Sequence, residues 1–251
     1  AYEIRPRDWS SDVCSSDLAS GGKYAISIES HFAVAQEHNM IFEQIPAGGD
    51  RNFAYLIGDE ASKLAAVVDP SYEPQRSLHA ARAHGLEVRY VISTHSHTDH
   101  VVGNEEVIRE TGAEEVMHAS SPRPCAVHVQ DEQTLVLGEL PLIFFHTPGH
   151  IPDHVCVLAG EHLMTGDLLF VGKVGGTGPY FKGSDPLQQW QSLRRLMTLP
   201  HRVGVWPGHD YGVKPHSTIG EEIASNPFLR CASFEAFTHL KATWEIGRAH
   251  V

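Results

Sequence analysis

From residue 40 onward the chain alternates short apolar runs with turn-forming clusters of Gly, Asp and Pro. Residues 40–45, 52–58 and 64–69 read as strands, parted by Gly48-Gly49-Asp50 and Asp59-Glu60, and Pro70 closes the third. Residues 73–84 switch to helical spacing and stop at Gly85, a C-terminal capping residue. A strand over 88–92 follows, then a helix from about 103 to 111 ended by Gly112. Further strands are expected at 115–118, 133–137, 142–146, 155–158, 162–165 and 204–206. A helix over about 186–199 precedes the last of these, and helical segments near 217–224 and 233–244 close the pattern. Strand runs with interspersed helices and no internal repeat predict an α+β fold, two sheets packed face to face with helices outside.

Composition narrows the function classes. With 251 residues, 41% hydrophobic and 20% charged, the chain can bury a full core as one large domain or two small ones. No run of roughly 18 apolar residues predicts a membrane span. A formal charge of −12 argues against a basic nucleic-acid interface. Four cysteines without a CxxC pair argue for a reduced, cytoplasmic protein rather than a disulfide framework. Both ends read as foreign: residues 12–18 (DVCSSDL) and 245–251 (EIGRAHV) can be encoded by reverse-complementary DNA resembling a sequencing adapter, as in an environmental gene fragment. The expected division is a non-native or disordered leader over 1–39 with 1–18 adapter-like, a functional domain over 40–244 and an adapter-like tail over 245–251, with Met40 as a plausible native start.

The chemistry concentrates in Thr94-His95-Ser96-His97-Thr98-Asp99-His100, which leaves the carboxyl end of the 88–92 strand. Imidazole and carboxylate without thiolate suit zinc, and iron or manganese as the oxygen share rises. His95 and His97 share one side of an extended segment, whereas Asp99 and His100 come after the chain starts to turn into a helix, so one ion could take the first two and a second ion the others. Chance clusters are a real alternative in a chain with 18 histidines. Three later turns offer partners: His146-Thr-Pro-Gly-His150, Thr165-Gly166-Asp167 and Pro207-Gly208-His209-Asp210. Each is a glycine then a ligand type at a strand end, and each alone is more often a plain turn.

Taken in order, THxHxDH, Gly-His, Gly-Asp and Gly-His resemble the metallo-β-lactamase superfamily, from Phe42 to about Leu240. The resemblance implies an αββα sandwich of two mixed sheets with a two-metal site at one edge. It implies that His95, His97 and His150 bind one metal, that Asp99, His100 and His209 bind the other, and that Asp167 bridges them. A bridging aspartate favours the branch resembling glyoxalase II (hydroxyacylglutathione hydrolase). Two ions about 4 Å apart can share a water and lower its pKa toward about 7 for attack on a thioester, ester or lactone carbonyl. Asp99 could double as acceptor for the water proton.

The expected cofactors are two Zn2+, with one Fe2+ per chain or mixed Fe/Zn as the alternatives, and the expected partner is a small-molecule thioester such as S-lactoylglutathione. In the family's glyoxalase II enzymes a Gly-Cys-Gly-Arg/Lys element and a long C-terminal helical domain clamp glutathione. Here Gly172-Lys-Val-Gly-Gly-Thr-Gly178 and a short tail stand in their place. That tail also resembles persulfide dioxygenases, which implies a second reading with one iron on His95, His150 and Asp167. Those enzymes carry an arginine in the glycine loop near the position of Gly176. A lactonase or β-lactamase is a third reading. Lys173, Tyr180 and Tyr211 are candidate substrate contacts and Lys182 a weaker one. His146 and His154 read as exposed or core-satisfied, although His154 matches the second histidine of the family's GHTxGH pattern; Cys125, Cys156 and Cys231 read as apolar filler.

Overall fold

The computed structural model describes residues 39–178 and 181–246. The leader and tail expected at the two ends, and Tyr180, lie outside those residues except at their margins. Strands here are apolar on both faces, which marks sheets covered on both sides. The first sheet holds β1 (Met40–Pro46), β2 (Phe53–Asp59), β3 (Leu64–Val68), β4 (Glu87–Ile92), β5 (Glu114–His118) and β6 (Val127–Val129) in that spatial order. β1 to β3 are antiparallel neighbours and β3 to β6 run parallel. The second begins with β7 (Gln133–Leu137), β8 (Leu140–His146), β9 (Val155–Ala159) and β10 (His162–Gly166). A small hairpin of β11 (Leu169–Phe170) and β12 (Lys173–Val174) interrupts before β13 (Gly204–Pro207) and β14 (Ser217–Thr218) complete it. Only β10 and β13 are parallel neighbours there, so the sheets are mixed, as expected.

On β2, Phe53, Tyr55 and Ile57 face the second sheet, where they meet Leu142, Phe144, Val155 and Val157. Ala54 and Leu56 face outward to α1 (Pro74–Ala83) and neighbouring helical residues such as Val107. The outer face of the second sheet, Ile143, Phe145, Cys156 and Leu158, is covered by Leu193 and Leu196 of α4 (Pro186–Leu196), Ile219 of α5 (Ile219–Ser225) and Phe237 of α6 (Phe234–Ile246). The result is the four-layer αββα order. Phe144 is fully buried in the middle layer, where truncation to Ala would cost about 3–5 kcal/mol. Among the described residues no helix is long and apolar enough to cross a membrane.

Elements of two or three residues escaped the hydrophobic pattern: β6, β11, β12 and β14 are too short to display a period. Helix bounds also differ in places. The helix expected from 217 begins at Ile219 because Thr218 caps it, its hydroxyl accepting from Glu221 N–H while Glu221 returns to the Thr218 backbone. A single turn, α2 (Thr98–Val101), precedes α3 (Asn104–Thr111). β8, β10 and β13 share one direction, and the segments after them meet the segments after β3 and β4 at one edge of the sandwich.

Candidate metal centre

The first sheet supplies four of the candidate ligands and the second supplies three. His95 and His97 lie on the loop after β4, and Asp99 and His100 on α2, where His97 is the N-cap residue. His150, Asp167 and His209 follow β8, β10 and β13. The repeated strand, glycine, ligand device has a steric cause. A Cβ at Gly208 would stand 2.6 Å from Asp167 Oδ1, and one at Gly166, which has φ +47°, would stand 2.7 Å from His154 Nε2. A side chain at Gly208 would crowd Asp167 and His100, and one at Gly166 would press on His154 and Thr94 behind the candidate ligands.

Four of the five histidines have their outward nitrogen committed. His150 Nδ1–H donates to the Gly176 carbonyl at 2.7 Å and His209 Nδ1–H to the Asp50 carbonyl at 2.9 Å. His100 Nδ1–H donates to Asp69 Oδ2 at 2.9 Å. Thr94 gives its hydroxyl proton to Asp69 Oδ2 at 2.6 Å, so its oxygen accepts from His95 Nδ1 at 3.1 Å. Each Nε2 is thereby turned inward, as metal-ligating histidines are held. His95 Nε2 and His150 Nε2 each stand 3.0 Å from His97 Nδ1. Three ring nitrogens facing one another, with protons for at most one of the contacts, fit a cation better than a hydrogen-bond network.

Asp167 faces both groups. Its Oδ2 lies 3.6 Å from His150 Nε2, and its Oδ1 lies 3.4 Å from both His100 Nε2 and His209 Nε2. Asp99 Oδ2 completes the second group at 3.3 Å from His209 Nε2 and 3.5 Å from His100 Nε2. His100 Nε2 and Asp167 Oδ1 are buried without a hydrogen-bond partner, a costly arrangement that bound cations would relieve. Three sets of side chains therefore could hold metal: His95, His97 and His150; His95, His100 and Asp167; and Asp99, His100 and His209.

Burial holds His95, His97 and His150 below the usual histidine range. Burial opposes charge on His209 too, but Asp167 and Asp99 outweigh it and push its pKa up to about 10. His100 is likewise raised, its burial outweighed by Asp167 and Asp69. Despite burial, Asp167 is held well below the carboxylate range, chiefly by His100 and His209.

Of three supporting residues, Asp69 and Asn52 carry no sequence motif that marks them. Asp69 ends β3 in the left-handed region, φ 48°, and takes the Thr94 N–H at 2.8 Å besides Thr94 Oγ1 and His100. A carboxylate terminating a strand, as at Asp167, is the signal that could have found it. Asn52 donates to Asp99 Oδ2 at 3.1 Å. His154, weighed as core-satisfied, is fully buried and also accepts the Asp167 backbone N–H at 3.1 Å, with its other nitrogen on Thr147 Oγ1 at 2.9 Å. His146 sits apart, half-buried and stacked on His118 at 3.8 Å.

Lys173 and Tyr211 line a cleft of about 160 Å3 beside His209, together with Phe170, Phe228, Lys241 and Trp244. Tyr211 stacks on His209 at 4.7 Å and donates to Asp50 Oδ2 at 2.6 Å, while Lys173 Nζ donates to the Tyr211 carbonyl. Lys182 is exposed. Burial raises the thiol pKa of all three described cysteines, Cys156 to about 12, so none is set up as a nucleophile.

Residues 47–209 match the family model described as the Metallo-beta-lactamase superfamily. Hydroxyacylglutathione hydrolase from Anaeromyxobacter dehalogenans is 37% identical over 227 residues, covering 76% of this chain and 86% of that protein. The mitochondrial persulfide dioxygenase ETHE1 of Homo sapiens is 31% identical over 189 residues, covering 72% of this chain and 74% of that one. The crystal structure of ETHE1 from Myxococcus xanthus superposes with a TM-score of 0.78 at 33% identity, over 83% of this chain and 93% of that one. The matched span, the αββα layers and the converging His and Asp side chains agree: this chain belongs to the metallo-beta-lactamase superfamily of metal-dependent hydrolases, on the branch of hydroxyacylglutathione hydrolases and persulfide dioxygenases.

Proposed function

We propose that this enzyme hydrolyses a thioester of the S-lactoylglutathione type. His95, His97 and His150 would hold one divalent cation and Asp99, His100 and His209 a second, with Asp167 shared between the two groups. The observation that carries the reading is the placement of Asp167, whose Oδ2 faces His150 while Oδ1 faces His100 and His209. Zinc suits this nitrogen-rich set, and a pair of such ions would supply a hydroxide nucleophile at neutral pH and polarise the thioester carbonyl.

The chain's own groups do the rest. Asp69, Gly176 and Asp50 hold the outward nitrogens of His100, His150 and His209, so the inward nitrogens are the ones presented to a cation. His154 fixes the Asp167 backbone and with it the direction of the carboxylate. Asp99, half-buried, would double as acceptor for the proton shed by the nucleophile. The cleft of Phe170, Tyr211, Phe228 and Trp244, with Lys173 and Lys241 among its walls, suits the apolar and anionic parts of an acylated thiol.

The similarity to persulfide dioxygenase supports a second reading, one iron on His95, His150 and Asp167 acting on a persulfide. Elemental analysis run beside two assays separates them. Near two zinc per chain with S-lactoylglutathione hydrolysis is expected; a single iron with persulfide-dependent oxygen uptake and no hydrolysis would overturn the hydrolase. Acyl-homoserine lactone and β-lactam substrates in the same panel test the lactonase and β-lactamase readings.

A further inference from the structure

The turn between β1 and β2 reaches one group of ligands and not the other. Asn52, only 2% exposed, directs Nδ2 to Asp99 Oδ2 at 3.1 Å and to the Asp99 carbonyl at 3.3 Å. Its backbone forms an antiparallel bridge with His209. The adjoining residues repeat the grip: Phe53 N–H donates to the Gly208 carbonyl at 2.9 Å, and Asp210 N–H to the Arg51 carbonyl at 2.9 Å. Asp50 takes the His209 Nδ1 proton. In the other group His95 is instead braced by Thr94 and His150 by Gly176.

The residue type matters as much as the place. Asp99 Oδ2 already faces His209 and His100. A neutral amide can hold that carboxylate without bringing a charge that competes with a cation, as a lysine would, or that repels Asp99, as an aspartate would. Gly49 makes room for it, since a Cβ there would stand 2.5 Å from Asn52 Oδ1.

We propose that Asn52 is a positioning residue for one half of the centre: by fixing both Asp99 and the strand end that carries His209, it sets the affinity of the second cation independently of the first. The proposal rests on the two-cation reading above. Outer-sphere contacts of this kind are worth roughly 10- to 100-fold in metal affinity.

The test uses the full chain stripped with chelator, as wild type, Asn52→Leu and Asn52→Ala, titrated with Zn2+ alone by calorimetry and with Co2+ by its visible absorption. Asn52→Leu keeps the branched shape and drops the donor; Asn52→Ala serves if the leucine variant fails to fold by circular dichroism. Wild type is expected to bind two ions. In the variant the first event should stay within about threefold and the second weaken about 10- to 100-fold, with loss of the second cobalt band. Two unchanged events, or two events weakened alike, would overturn the role of Asn52 and leave the two-cation reading standing. Fewer than two ions on wild type would overturn both.

Discussion

The two halves of the centre use the same residue types under opposite electrostatics. His95, His97 and His150 form an imidazole trio whose burial keeps them neutral. His100 and His209 sit among Asp69, Asp99 and Asp167, and these carboxylates hold their protons on despite burial. In protein stripped of metal, one half therefore offers lone pairs directly, and the other keeps protons where a cation would bind. Pre-organisation and charge compensation are two different ways to make a buried ligand set tolerable in a folded chain.

The largest break in this contrast comes from pH. A cation entering the second half must expel two protons, that of His209, whose pKa is about 10, and that of His100, whose pKa is likewise raised, so affinity there should rise about 100-fold per pH unit below that range. Calorimetry at pH 6 and pH 8 should show a gain of roughly 10⁴-fold for the second ion and little change for the first, whose histidines have their pKa values lowered. Next is the group both halves share. Asp167→Ala should lower kcat/KM for thioester hydrolysis by roughly 10³-fold or more, the scale of lost metal-based charge stabilisation, in a variant that stays folded by circular dichroism. Asp69→Asn weakens the hold on His100 Nδ1 and should cost about 10- to 100-fold in affinity, mainly in the second half. The smallest effect is expected from Tyr211→Phe, which keeps the ring against His209 but drops the bond to Asp50. A loss of about two- to tenfold in second-ion affinity follows from one hydrogen bond of ordinary strength.

Much of this was legible in the sequence where the information is local. The Thr94 to His100 cluster follows an obvious strand, and three strand ends carry a glycine and then a ligand type, so the seven side chains could be nominated before any geometry. The short apolar runs with interspersed helices likewise foretold two sheets packed face to face with helices outside. What stayed hidden depends on contacts across the chain. Asp69 reads as the end of a strand and Asn52 as the start of one, because nothing near either one announces Thr94, His100 or Asp99. His154 looked like core because it is core, and only the fold shows that its second nitrogen meets Asp167. Lys173, read on a loop open to substrate, spends a proton on the Tyr211 carbonyl, a partner 38 residues away.

Because His95, His97, Asp99 and His100 leave the first sheet while His150, Asp167 and His209 leave the second, any ion shared between them rivets the seam of the sandwich. The layers could not shear apart without surrendering it, so occupancy would brake mechanical and thermal opening along the edge that carries these seven side chains.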